Sequence, residues 1–178
     1  MNQEALTFRA ATAADIDAIV ALAESAYRGD SGRRGWTTES DLLGGRRTGP
    51  DEIEDFLRKP RSMVLLGELG DPPALVACAH IAAHDEVGYL GLFTVDPTLQ
   101  GAGIGKRVLE EAERIVRDDW RLSTIEMTVI NVREELIQYY LRRGFRRTGK
   151  FLPFPYGDAR FGLPKRDDLS FEVLEKTL

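Results

Sequence analysis

Between Val95 and Lys106 the chain reads Val-Asp-Pro-Thr-Leu-Gln-Gly-Ala-Gly-Ile-Gly-Lys. Glycines at 101, 103 and 105 remove three Cβ atoms at alternate positions, so a ligand can come close to the backbone N–H groups there. If a helix opens at this point, its first turn leaves those donors without intrahelical partners, and its dipole adds partial positive charge. Such a site suits an anion, above all a phosphate or pyrophosphate. Lys106 and Arg107 add charge of the same sign.

Spacing separates three phosphate-binding readings. A P-loop needs four residues between its first Gly and Gly-Lys, then Ser or Thr for magnesium. Here only three residues separate Gly101 and Gly105, and Lys106 precedes Arg107, so that reading fails. A dinucleotide fingerprint needs Gly-x-Gly-x-x-Gly and an acidic residue closing the next strand. The chain offers Gly-x-Gly-x-Gly, and its next strand ends Val129-Ile130-Asn131, so that reading fails as well. What remains is Gln100-x-x-Gly103-x-Gly105 after a strand ending Val-Asp-Pro.

That pattern resembles the acetyl-coenzyme A loop of the GNAT superfamily of N-acetyltransferases. A second block about 30 residues on, from Arg133 through Tyr139 and Tyr140 to Gly144-Phe145, is similar to the helix of that family that ends Tyr-x-x-x-Gly-Phe. The resemblance covers roughly residues 6 to 176 and implies acetyl-coenzyme A as co-substrate, with no metal. It implies that backbone groups of Phe93, Thr94 and Val95 hold the pantetheine arm and the thioester carbonyl. Gln100, Gly101, Ala102, Gly103, Ile104, Gly105 and Lys106 would meet the pyrophosphate, and Tyr140 would protonate the departing thiolate. The family usually carries asparagine seven residues before that tyrosine, where this chain has Arg133, with Asn131 two residues earlier.

The elements that must position these residues follow from periodicity and punctuation. Tyr89 to Val95 reads as a buried strand. Ile104, Val108, Leu109, Ala112, Ile115 and Val116 recur at helical spacing after the glycines. Leu6 to Arg9 is a first strand, and Thr12 to Asp15 is a capping box opening a helix that carries Ile16, Ile19, Val20, Ala23 and Tyr27 on one face. Residues 28 to 50 form a long glycine- and arginine-rich loop, in which Trp36 to Leu43 could make one short helix. Asp51 to Lys59 is a helix stopped by Pro60. Met63 to Leu69, Ala74 to Ala83 and the strand ending at Val95 make an antiparallel meander. Strand, helix and the strand Thr124 to Ile130 form a right-handed crossover, so one pair is parallel and the sheet is mixed. Arg133 to Arg143 is a helix closed by Gly144, and Phe145 to Phe151 returns as a strand. Pro153 to Pro164 is an ordered loop by composition, and Leu169 to Lys176 is a last strand with Leu169, Phe171 and Val173 inward. The expected fold is therefore α/β, a mixed central sheet of about seven strands flanked by helices. The resemblance adds a splay between the strand before the glycine loop and its parallel neighbour.

Composition bounds the rest. At 178 residues and 43% hydrophobic the chain suits a single domain, here 1–178. A formal charge of −5 argues against a general nucleic-acid or membrane-surface binder. The single cysteine, Cys78, cannot form an internal disulfide or a cysteine metal cluster. With no signal-peptide pattern and no apolar run long enough to span a membrane, the expectation is a cytoplasmic protein, with which a homodimer is compatible.

Acetyl transfer to an amine requires a free amine, donors for the developing oxyanion and a proton for the thiolate. Base candidates are Glu126, in mid-strand, then Glu86, His80 and His84, and a water relay is equally compatible. Trp36 and Glu39 together suit an amine that arrives as a cation. Arg142, Arg143, Arg146 and Arg147 form a basic run that could meet the coenzyme's 3′-phosphate or simply end a helix. The expected activity is transfer of acetyl to the primary amine of a small molecule. A coenzyme-binding sensor without turnover, or an enzyme acting on a protein N-terminus or lysine, stays open beside it.

Overall fold

Local chemistry marks most element boundaries. Thr12 and Asp15 form the expected capping box, with the Thr12 N–H donating to the Asp15 carboxylate at 2.8 Å. A 3-10 turn there leads into α1 (Ile16–Tyr27). Pro50 opens α2 (Pro50–Arg58), where its missing N–H costs nothing. Gly103, at φ 79°, precedes α3 (Ile104–Arg114), which continues into a π-helical turn, Ile115–Asp119. The helix α4 (Glu134–Leu141) is followed by Gly144 at φ 93°, the left-handed position that turns the chain back.

The computed structural model describes residues 5–28 and 38–178. Its strands are β1 (Thr7–Ala10), β2 (Leu43–Gly44), β3 (Ser62–Leu69), β4 (Ala74–His84), β5 (Val87–Val95), β6 (Thr124–Ile130), β7 (Arg146–Pro153), β8 (Leu163–Pro164) and β9 (Ser170–Thr177). Seven of them form one mixed sheet in the order β1-β3-β4-β5-β6-β9-β7, and β2 pairs with β8 separately. Every pair in the large sheet is antiparallel except β5–β6. That parallel pair is in register only at Gly88↔Ile125 and Tyr89↔Glu126, after which the strands part. The expected splay is therefore present. A bulge in the β4–β5 ladder lies just beyond it, where Leu92 adopts φ 47°.

Helices cover both faces of the sheet, and strand alternation sorts side chains between them. Val64, Leu66 and Cys78 face α1 and α2, packing with Ile19, Ala23 and Ile53. Leu65, Ala77, Ala79 and Ile81 face the other way, toward Val108, Leu109 and Ala112 of α3 and Ile137 of α4. Each fully buried Leu or Ile contributes about 1.5–3 kcal/mol, whereas an exposed ion pair such as Arg58–Glu54 contributes under about 1 kcal/mol. Apolar burial therefore holds the fold. No helix among the described residues is long and apolar enough to cross a membrane.

Three local expectations change. Of the stretch expected as a helix from Trp36 to Leu43, the described part is a turn in which Leu42 and Leu43 both donate to the Glu39 carbonyl at 2.8 Å, followed by β2. The proline-aromatic segment contains a 3-10 turn (Ala159–Phe161) and β8, whose pairing with β2 joins the two long loops. In β9, Glu172, Val173 and Leu174 are all buried, so burial there does not alternate: Leu174 joins the main core, and Glu172 accepts from Arg147 Nη1 at 3.0 Å.

Gly88 lies where the parallel pair is tightest. A Cβ there would meet Val116 Cγ1 at 2.5 Å. Gly88→Ala should therefore destabilise the protein by about 1–3 kcal/mol through overpacking, read as a lower urea midpoint at unchanged slope. An unchanged midpoint would mean that α3 yields there without cost.

Candidate active site

A network of local hydrogen bonds fixes the turn after β5. The Asp96 N–H donates to the Val76 carbonyl at 2.8 Å, and its carboxylate accepts the Thr98 N–H at 2.9 Å and the Thr98 hydroxyl at 2.7 Å. Gln100 Nε2 donates to the Val95 carbonyl at 3.3 Å, tying the loop to the strand end. Gly101 and Gly103 have φ 93° and 79°, and a Cβ on either would meet nothing within 4 Å. They thus serve backbone conformation while leaving open space at the head of α3. Gly105 differs, because a Cβ there would come within 3.0 Å of the Tyr139 hydroxyl. Packing against α4 requires that glycine.

A cavity of about 610 Å³ lies over this helix end. Phe93, Val95, Gln100, Gly101, Gly103, Gly105 and Lys106 line it, together with Leu99. Thr94, Ala102 and Ile104 do not: the Thr94 hydroxyl is buried on the Leu92 carbonyl at 3.0 Å, Ala102 points to solvent, and Ile104 joins the core. α4 adds Glu135, Gln138, Tyr139 and Arg142, a stripe at helical spacing, and Arg143. That stripe was available in the sequence as i, i+3, i+4 neighbours of the Tyr-x-x-x-Gly-Phe motif. Arg143 stacks 3.7 Å over the Tyr139 ring, and its Nε is buried without a hydrogen-bond partner among the described residues. The basic run divides: Arg142 and Arg143 line the cavity, while Arg146 pairs with Glu175, and Arg147 with Glu134 and Glu172.

A second cavity, of about 740 Å³, opens between the parted strands, lined by Tyr89 to Phe93 of β5 and Met127 to Ile130 of β6. Phe93 lines both cavities, and its carbonyl accepts a short hydrogen bond from the Tyr27 hydroxyl. Tyr140 lines the second cavity at 5% exposure, edge-on to Tyr139 and Phe145 at 5.3 and 5.8 Å. Burial, reinforced by the neighbouring Tyr27 and Tyr139, pushes its phenol well above the usual value, so the group holds its proton.

Glu39 stands at the centre of a buried ionic cluster. Its carboxylate accepts from Arg28 Nη1 at 2.6 Å and from Arg133 Nη1 at 3.4 Å. Burial opposes its ionisation, but Arg47, Arg133 and Arg28 together outweigh that and hold its pKa below the ordinary range. Arg133, at the position where asparagine was expected, belongs to this cluster and not to the first cavity. Trp36 lies outside the described residues. Glu126, half-buried in register with Tyr89 and Glu175, lines neither cavity, and Glu86 is exposed. His80 and His84 line the second cavity. His80 stacks on Phe56 at 3.6 Å, its Nε2 lies 2.9 Å from the Ser62 hydroxyl, and burial pushes its pKa down to about 4.

The model of the acetyltransferase (GNAT) family matches residues 19–145. No curated protein matches the chain. Among solved structures, the ribosomal-protein-S18-alanine N-acetyltransferase from Escherichia coli is 14% identical, covering 97% of this chain and 94% of that one at a TM-score of 0.69. The spermidine/spermine N-acetyltransferase SpeG from Vibrio cholerae is 14% identical over 97% and 92% of the two chains, at 0.67. A Bacillus anthracis structure in complex with acetyl coenzyme A is 16% identical over 71% and 68%, at 0.57. At these identities the likeness is one of fold.

The depressed pKa of His80 ties stability to pH. The neutral ring's contribution is present in full above the free-imidazole value of 6.5 and is lost as the pH falls toward about 4. The loss is at most about 3 kcal/mol. Urea unfolding between pH 7 and 4.5 should show that decline, and His80→Gln should flatten it. A decline that persists in the variant would assign the acid sensitivity to other groups.

Proposed function

The chain belongs to the acetyltransferase (GNAT) family, and from that premise we propose that it transfers acetyl from acetyl-coenzyme A directly to the primary amine of a small molecule. The observation that carries this reading is the meeting of two cavities at Phe93, with the open glycine loop in one and the protonated Tyr140 in the other. All of residues 1–178 are read as one domain, which the shared sheet from β1 to β9 supports.

The first cavity suits the coenzyme. Unpaired N–H groups at the head of α3 and the open space over Gly101 and Gly103 fit the pyrophosphate, and Lys106, Arg142 and Arg143 add cations for the phosphates. Phe93 and Val95 would carry the pantetheine arm toward the splay. The amine then approaches from the second cavity, its nitrogen bonds to the thioester carbonyl carbon, and the carbon–sulfur bond breaks. Tyr140 supplies a proton to the departing thiolate, a role that its held proton supports. A base role for Glu126 has less support than a water relay, because Glu126 borders neither cavity.

A small acceptor is favoured over a protein. The two long loops are tied together by the β2–β8 pair, and Leu43, Phe154 and Phe161 from them wall the second cavity. The E. coli neighbour named above acts on a ribosomal protein, so the fold alone does not choose between these acceptors.

Two substitutions test the reading. Tyr140→Phe should lower kcat by about 100-fold or more while the Kd for acetyl-coenzyme A stays within twofold, measured by thiol release and calorimetry. Equal losses in both would remove Tyr140 from the chemistry. Gly103→Asn keeps a residue that tolerates left-handed backbone but fills the open space over the helix end. It should weaken acetyl-coenzyme A binding at least tenfold with the folded spectrum unchanged, and undiminished binding would overturn the loop assignment.

A further inference from the structure

We infer that the amine accepted by this protein carries its own carboxylate or equivalent oxyanion, seated by the arginines of the second cavity, an inference that rests on the acetyl-transfer reading above. Among the described residues, six cationic side chains and two carboxylates line that cavity, in a chain whose formal net charge is −5. Part of the excess sits at the rim, where Arg160 is neutralised by Asp158. The inner group is the informative one: Arg28, Arg47 and Arg133 converge on Glu39, with Glu52 as the second acid.

Glu39 has little to offer an ammonium, because each of its oxygens already accepts from a guanidinium group and the surrounding arginines outweigh its charge. Glu52 accepts a short hydrogen bond from the Thr48 hydroxyl. One arginine of the group, in contrast, is under-supplied: Arg28 is 7% exposed, and its Nε is buried with no hydrogen-bond partner among the described residues. Arg47 stacks over Tyr27 at 5.1 Å and feels Glu39 and Glu52 through space, with no side-chain hydrogen bond to either. A guanidinium donor kept from water without an acceptor is costly, and a carboxylate meets a guanidinium fork with two parallel hydrogen bonds. A bound anion therefore completes the cluster, which a cationic polyamine cannot do.

The test uses the full chain with acetyl-coenzyme A and follows thiol release against the twenty common L-amino acids, their carboxamides and spermidine. Expected is kcat/KM at least tenfold higher for one or more amino acids than for the matching carboxamide and for spermidine. Arg47→Gln should raise KM for that amino acid at least tenfold and erase its advantage over the carboxamide, while calorimetry with acetyl-coenzyme A reports whether the variant is folded. Equal or better turnover of carboxamides or spermidine would overturn the inference and leave acetyl transfer standing. Binding of acetyl-coenzyme A with no release for any amine would defeat the transfer reading, and the acceptor assignment with it.

Discussion

Everything at the site depends on two strands that cannot stay paired. β5 and β6 run parallel from Gly88 and Tyr89, then separate, because the bulge at Leu92 turns the β5 backbone away from a regular ladder. An unpaired backbone group buried from water costs as much as a lost hydrogen bond, so a gap in the middle of a sheet has to be compensated. Part of the compensation is visible: the Phe93 carbonyl takes the Tyr27 hydroxyl, and Leu92 takes the Thr94 hydroxyl. The rest of each strand is anchored elsewhere, β5 along β4 and β6 along all of β9. The gap is thus held open by strong neighbours, and both cavities border it.

The two cavities differ in how they handle charge. The first uses backbone donors and cations near solvent at a helix end, where charge costs little. The second buries guanidinium groups around one carboxylate, where desolvation is expensive unless attraction and hydrogen bonding repay it. Glu39 stays ionised because three arginines outweigh its burial, and Tyr140 stays protonated because burial prevails there. Opposite outcomes arise within one cavity from the balance of those two effects.

The glycine loop, its helix and the Tyr-x-x-x-Gly-Phe helix were legible because each is a local pattern. Their residues are close in sequence, and helical periodicity alone brings Gln138, Tyr139 and Arg142 to one face. The second cavity was poorly legible for the opposite reason. Arg28, Glu39, Arg47 and Arg133 are brought together by a loop, a turn and the start of α4. Glu39 stands out in the sequence as an acid suited to a cation, and in the folded chain the cations it meets are Arg28 and Arg133. Glu126 drew notice as a mid-strand acid, yet side-chain direction in a strand says nothing of where a cavity lies.

By itself the sequence determined the alternation of elements, the mixed sheet, the glycine-rich helix start and the family. Those follow from periodicity and turn chemistry acting over a few residues. Only the tertiary structure decided that β2 and β8 fasten the long loops together and that the second cavity is rich in arginine. Loop pairing and buried charge depend on residues far apart in the chain, whose mutual distances no local pattern encodes.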